Sequence, residues 1–232
     1  MPKARKSFQN IIQELGNFYG RPEPPKVTDP LGMILLENVA YLVSDERREQ
    51  AFDTLRERVG LRPPDILTAH EETLLEVARL GGMHPASRVE KLRRIAQTAL
   101  QEFEGDLDSV LKQSRAQAKK SLKKFPGIGD PGAEKILLFS RTHPILAFDS
   151  NGLRVLLRLG YCEEQKSYGA TYRSAQKAVE GELKKDYDWL IAAHQLLRRH
   201  GQELCKTAEP LCRPCPLKSS CRYYQKGMEF RL

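Results

Sequence analysis

Apolar residues recur at helical spacing along most of the chain, and this pattern predicts an all-α protein. Phe8, Ile11, Ile12 and Leu15 share one face of a short amphipathic helix, with the basic residues Lys3, Arg5 and Lys6 ahead of it. Prolines at 22, 24, 25 and 30 then forbid helix and predict a strap. From Leu31 to Val43 the pattern is apolar nearly all round, as in an interior helix. Glu37 and Asn38 are its polar exceptions, and buried polar groups need partners. Three further helices are predicted over 45–59, 65–69 and 71–80, with Thr68 and Glu71 at capping-box spacing. Over 88–102, Val89, Leu92, Ile95, Ala96 and Leu100 form one face, with Arg88, Lys91, Arg93 and Arg94 directed away from it. A short helix follows the acidic turn 104–108 and leads into 118–124. Towards the C-terminus, helices are predicted over 168–183 and 186–200. The second carries Trp189, Leu190, Ala193, Leu196 and Leu197 as a core stripe and stops at Gly201.

The stretch from Lys123 to Arg158 breaks this monotony. Gly127 and Gly129 flank Ile128 behind Pro126, and a helical pattern with Ala133, Ile136 and Leu137 restarts at once, so a helix ends, turns tightly and begins again. Backbone N–H groups at such a restart face outward, where the helix dipole favours an anion such as a DNA phosphate. A clamp of this kind holds backbone and ignores base sequence. Further on, Asp149 stands between the apolar run Ile145 to Phe148 and a new helix carrying Leu153, Val155, Leu156 and Leu157. A carboxylate at a helix start is stabilised in its charged form, which suits a reaction that builds positive charge. An N-cap is the plainer role for an isolated aspartate.

Charge supports a polyanionic partner. The chain of 232 residues carries a formal charge of +8 and a pI near 9.2. Between Arg88 and Lys124 there are ten Lys or Arg against five Asp or Glu, running directly into the hairpin with Lys123 and Lys124 at its edge. Phosphate contacts from such a segment make binding salt-dependent. No apolar run approaches the roughly 20 residues of a membrane span, and no signal-peptide core follows the basic N-terminus. The expected setting is the cytoplasm, at the nucleoid, with no membrane partner and the chain a monomer.

Cys205, Cys212, Cys215 and Cys221 form C-x6-C-x2-C-x5-C, while Cys162 stands apart as a small apolar residue. Clustered thiols in a cytosolic protein point to metal rather than disulfides. Zinc more usually shows two separated C-x2-C knuckles, whereas four thiolates in one loop suit a 4Fe-4S cluster. Zinc and a purely structural staple are the alternatives. Arg213, Lys218, Arg222 and Lys226 decorate the loop with positive charge.

FPGIGDPGA followed by Asp149, together with the cysteine spacing, resembles the endonuclease III family of DNA glycosylases in the helix-hairpin-helix superfamily. LAFDSNGLRVLLRLGY is similar to the corresponding part of plant 5-methylcytosine glycosylases. The resemblance implies two helical lobes: residues 1–29 packing with 144–232, which hold the cluster loop, and a six-helix lobe over 30–143. Double-stranded DNA is expected at the cleft between them. It implies Asp149 as the catalytic group, Gly127, Ile128 and Gly129 as the backbone clamp, and Glu37, Asn38 and Tyr41 near a base pocket. Met83 or His84, in the loop 81–85, is the implied wedge. One position departs from the pattern: where bifunctional members have a Schiff-base lysine, this chain has Pro131, whose ring nitrogen is an amide within the chain and no nucleophile. A monofunctional glycosylase is the expectation. The rivals are a lyase using a displaced lysine such as Lys135, and a non-catalytic DNA-binding paralogue.

Overall fold

The computed structural model describes residues 5–229, excluding the side chains of 228 and 229; Lys3 lies outside the described residues. The described residues are helical throughout, with no strand among them. No helix among them is long and apolar enough to cross a membrane. The chain divides into two compact units, one running from Pro25 to His143, the other combining the chain up to Pro24 with Pro144 onward.

The middle unit holds eight helices: α2 (Pro30–Val39), α3 (Asp45–Arg58), α4 (Pro63–Thr68), α5 (Glu71–Leu80), α6 (Pro85–Phe103), α7 (Asp108–Leu111), α8 (Arg115–Leu122) and α9 (Asp130–Phe139). Asp29 caps α2 by accepting from Gly32 N at 2.6 Å, with Pro30 at the first helical position, where its missing N–H costs nothing. Met33, Ile34 and Leu35 are buried against α3, α6 and α9. Each such side chain contributes roughly 1.5–3 kcal/mol by leaving water.

Four expectations change here. The helix predicted over 31–43 ends at Val39, because Tyr41 N donates to Gly81 O at 3.0 Å and Leu42 adopts φ 55°. A tertiary bond thus outcompetes apolar continuity. Thr68 caps nothing: its hydroxyl donates to Pro64 O, and His70 stands at the start of α5. Arg88 is buried rather than directed to solvent, since α6 begins three residues earlier than its pattern and Arg88 Nη2 reaches back to Met83 O at 2.7 Å. Finally, the helix predicted to stop at Gly201 continues past it, as described next.

The other unit contains α1 (Phe8–Tyr19), α10 (Ser150–Leu159), α11 (Tyr168–Val179), α12 (Tyr187–Glu203) and α13 (Arg222–Glu229), with short 3-10 turns at Glu180–Glu182 and Lys218–Ser220. Phe8 packs edge-on against Tyr161 and Trp189, with ring centroids 6.0 and 5.9 Å away, fixing α1 to the C-terminal helices. Helices α10 and α12 cross closely, and glycine permits it. A Cβ at Gly201 would lie 2.6 Å from Asn151 Cβ and 2.7 Å from Asn151 O. Gly201 is therefore a packing residue inside α12, not a helix stop.

Candidate functional site

In the middle unit, α8 and α9 make the predicted hairpin. Gly127 has φ 72°, a conformation L side chains rarely adopt, and a Cβ there would meet Asn38 Oδ1 at 2.8 Å. Asn38 explains that proximity. Its Nδ2 donates to Ile34 O within α2 and to Pro126 O in the turn, both at 2.9 Å, so its amide ties the hairpin to the apolar helix. Ile128 buries its side chain, and its N–H donates to Phe125 O at 3.3 Å. Gly129 precedes α9 with no side-chain cap, and Pro131 lies in the first turn.

The basic residues here are neutralised locally. Lys123 Nζ is 2.9 Å from Asp130 Oδ1 and Lys124 Nζ is 2.6 Å from Glu102 Oε2. Behind them Glu134, whose side chain is 1% exposed, receives Arg115 at 3.1 Å and Lys119 at 2.5 Å, joining α8 to α9. Glu37 forms an ion pair with Lys135 across α2 and α9.

Tyr41 lies beyond the end of α2 and is 67% exposed, beside Leu42 at 73%. The segment 81–84 runs alongside, joined by the Tyr41 to Gly81 bond, with Met83 65% exposed and His84 at φ 59°. Three large side chains thus project here, with the Tyr41 backbone tied to Gly81 and the Met83 carbonyl held by Arg88. Leu42 escaped the sequence reading because it looked like part of a buried helix.

In the other unit, Asp149 caps α10: Oδ1 accepts from Gly152 N at 2.9 Å and Oδ2 from Asn151 Nδ2 at 2.9 Å. Arg198 Nε on α12 is 3.6 Å from Oδ2. The carboxylate is partly exposed, and Tyr168 lies near enough that, after burial, its charge helps push the Tyr168 hydroxyl pKa upward. Asn151 is itself held. Its Oδ1 accepts from Arg154 Nη2 at 2.8 Å, and the same guanidinium donates to Gly201 O and to Cys205 O, each at 2.8 Å. A continuous chain of hydrogen bonds therefore runs from Asp149 to the backbone of the cysteine loop. Arg154 and Arg198 were invisible as site residues, since each acts through partners about 50 positions away, and Asn151 matters only because Arg154 holds it beside Asp149.

Cys205, Cys212, Cys215 and Cys221 line one cavity, together with Arg158 and His200. Burial, followed by the neighbouring thiols, pushes Cys215 up to about 11; Cys212 and Cys221 are raised with burial as the main cause. Four thiols lining one cavity are a donor set that a cationic group would stabilise as thiolates. Among the described residues, no three cysteine, histidine or acidic side chains gather tightly enough to hold a single metal ion. Arg158 Nη1 approaches Cys205 Sγ at 3.4 Å while also donating to Lys206 O and Thr207 O. His200 is 1% exposed, and burial lowers it to about 4.

No family model matches the chain. Endonuclease III of Thermotoga maritima is 26% identical over 88% of this chain and 88% of the relative. Thymine-DNA glycosylase of Aeropyrum pernix is 26% identical over 94% of this chain and 95% of its own length. A solved structure of a trapped covalent intermediate of endonuclease III with DNA superposes with a TM-score of 0.74, at 21% identity, over 96% of this chain and 99% of that one. With most of each chain covered in both directions, this chain is similar to endonuclease III along nearly its whole length and shares the fold of that solved structure.

Proposed function

We propose that the protein is a DNA N-glycosylase that flips a damaged or mismatched base out of double-stranded DNA and hydrolyses its N-glycosidic bond, leaving the abasic strand intact. The observation that carries this reading is Asp149, a partly exposed carboxylate fixed by Gly152 N, Asn151 and Arg198. Leaving of the base builds positive charge on the sugar, and a preorganised carboxylate stabilises that charge and orients the attacking water. An enzyme acting on a base takes it out of the stack. Met83 and Leu42, exposed on restrained backbone, suit the wedge that fills the vacated space. His84, whose backbone is αL, shapes that loop, while Tyr41 offers a stacking face.

Gly127 and Gly129 present the hairpin backbone to a phosphate, whereas the Ile128 N–H already serves the turn. Lys123 and Lys124 exchange their carboxylate partners for phosphates on binding, which makes affinity salt-dependent. Asn38 braces the turn, and Glu37 with Lys135 borders the same helices. Lys135 is held by Glu37, which counts against its service as a displaced Schiff-base amine. The four-cysteine cavity suits a 4Fe-4S cluster, because one loop supplies all four thiols to a single cavity, whereas zinc more usually takes two separated C-x2-C knuckles. When bound, the cluster would fold the loop of Arg213, Lys218, Arg222 and Lys226 into a rigid basic surface.

The reading is tested with duplexes carrying single uracil, mismatched thymine, oxidised pyrimidine or modified cytosine, with and without alkali. Strand breaks that require alkali, and no adduct trapped by borohydride, are expected. A trapped adduct would establish lyase chemistry instead. Absence of single-turnover excision across the panel would leave only DNA binding.

A further inference from the structure

His200 and Tyr19 form a relay behind the cysteine cavity that the proposed glycosylase chemistry does not use. His200, in α12, places Nε2 3.6 Å from Cys215 Sγ and Nδ1 3.1 Å from the Tyr19 hydroxyl on α1. The imidazole is buried, and Tyr19 stacks edge-on beside it, centroids 5.9 Å apart, with Arg199 over its outer ring face. A buried neutral imidazole carries one N–H, so its two nitrogens must take opposite roles.

We propose that His200 donates a hydrogen bond from Nε2 to the sulfur of Cys215, that the Tyr19 hydroxyl holds the ring in this tautomer by donating to Nδ1, and that the N–H···S bond raises the reduction potential of the iron-sulfur cluster. The proposal rests on the cluster reading above. A thiol can donate its own S–H to Nε2, in which case Nδ1 carries the hydrogen and donates to the tyrosine oxygen. A thiolate bonded to iron has no proton to give and only accepts, so the hydrogen must sit on Nε2 and Nδ1 must accept. Tyr19 has a proton to supply, since burial raises its pKa and keeps the hydroxyl neutral. Loading the cluster therefore selects one tautomer of a ring that both neighbours can satisfy. A donor at a ligand sulfur stabilises the more negative, reduced cluster, and partners of this kind tune metal centres. Cys205 receives the Arg158 guanidinium, a partly exposed charged donor that also bonds two carbonyls. Cys215 alone is served by a buried neutral ring with a second residue fixing its proton.

The test uses full-length protein purified without oxygen, in wild-type, His200→Phe, His200→Gln and Tyr19→Phe forms. Iron and sulfide are measured first, then the reduction potential by film voltammetry without DNA. With equal loading, His200→Phe should shift the potential downward. His200→Gln, whose amide can donate, should restore part of the shift, and Tyr19→Phe should shift it downward by less. An unchanged potential in a fully loaded His200→Phe protein would overturn the proposal while leaving the cluster and glycosylase readings standing. Wild-type protein without iron and sulfide would overturn the cluster reading and this proposal together, independently of excision activity. Should His200→Phe fail to load, Tyr19→Phe decides: the ¹⁵N resonances of His200 must report Nε2–H in the loaded wild type and a mixture in the variant. Nδ1–H in the loaded wild type would refute the assignment.

Discussion

Helices α9 and α10 begin with almost the same backbone and opposite chemistry. Gly129 precedes α9 at φ −96°, ψ −169°, and Asp149 precedes α10 at φ −84°, ψ −173°; three residues later both chains have glycine, Gly132 and Gly152. At α10 the aspartate carboxylate takes the Gly152 N–H, so the helix end orients an acid. At α9 no side chain caps the turn, so the positive end of the helix dipole is left for an external anion. In the function proposed above, one side chain at the cap position separates the catalytic carboxylate from the phosphate clamp.

The largest expected effect comes from removing the charge at α10. Asp149→Asn keeps an oxygen for the cap, so stability and binding to lesion-bearing DNA should change little. Single-turnover excision should fall by about 10²–10⁴-fold. Retained activity would reduce Asp149 to a cap.

Next comes the brace behind that carboxylate. Arg154→Met leaves Gly201 O, Cys205 O and Asn151 Oδ1 without this donor; an unpaired acceptor costs about 1–3 kcal/mol when fully buried and less at these part-buried positions. Chemical denaturation should show a loss of roughly 2–3 kcal/mol, and excision should drop as Asn151 loosens beside Asp149. A loss of stability with an unchanged single-turnover rate would confine Arg154 to the fold. At α9 the nearest acid is Asp130, the first residue of the helix, which pairs with Lys123 at 2.9 Å and Lys119 at 3.7 Å.

One helix start can be converted into the other. A Cβ at Gly129 would meet only Pro131 Cδ, at 3.8 Å, and the backbone there is open to any residue. Gly129→Asp should gain a few tenths of a kcal/mol from the new cap. It should lose roughly tenfold in affinity for every DNA sequence alike, because a carboxylate occupies the phosphate position. A loss confined to one lesion, read by fluorescence anisotropy, would contradict the clamp.

What could be read from residues alone divides along a physical line. Amphipathic spacing revealed α1, α5 and α6, and the Gly127-Ile128-Gly129 turn was legible because only local backbone freedom is at stake. The four cysteines converge on one cavity, as their spacing implied. Long-range bonds decide the rest. The end of α2 is set by Gly81, 40 positions beyond Tyr41; Arg88 is buried by a bond to the preceding loop; Gly201 stays helical because Asn151 leaves no room for a side chain. The Asp149 to Arg154 brace also closes onto carbonyls remote in sequence, so no local pattern announces it.

The smallest effect should come from Lys123, and it isolates electrostatics from structure. Its ion pair with Asp130 is 45% exposed on the lysine side, and exposed pairs of this kind contribute about 0–1 kcal/mol. Lys123→Ala should therefore leave the unfolding midpoint nearly unchanged. Binding is different, because a lysine that trades a carboxylate for a phosphate releases counterions from DNA. The slope of log affinity against log salt should become shallower by about 1. Removing Lys123 also leaves Asp130 less neutralised at the mouth of the clamp, which adds a repulsion that salt screens and so acts on the slope in the same direction. An unchanged slope in Lys123→Ala, with Gly129→Asp still weakening binding, would mean that the uncapped end of α9 holds phosphate through its N–H groups without help from the lysine beside it.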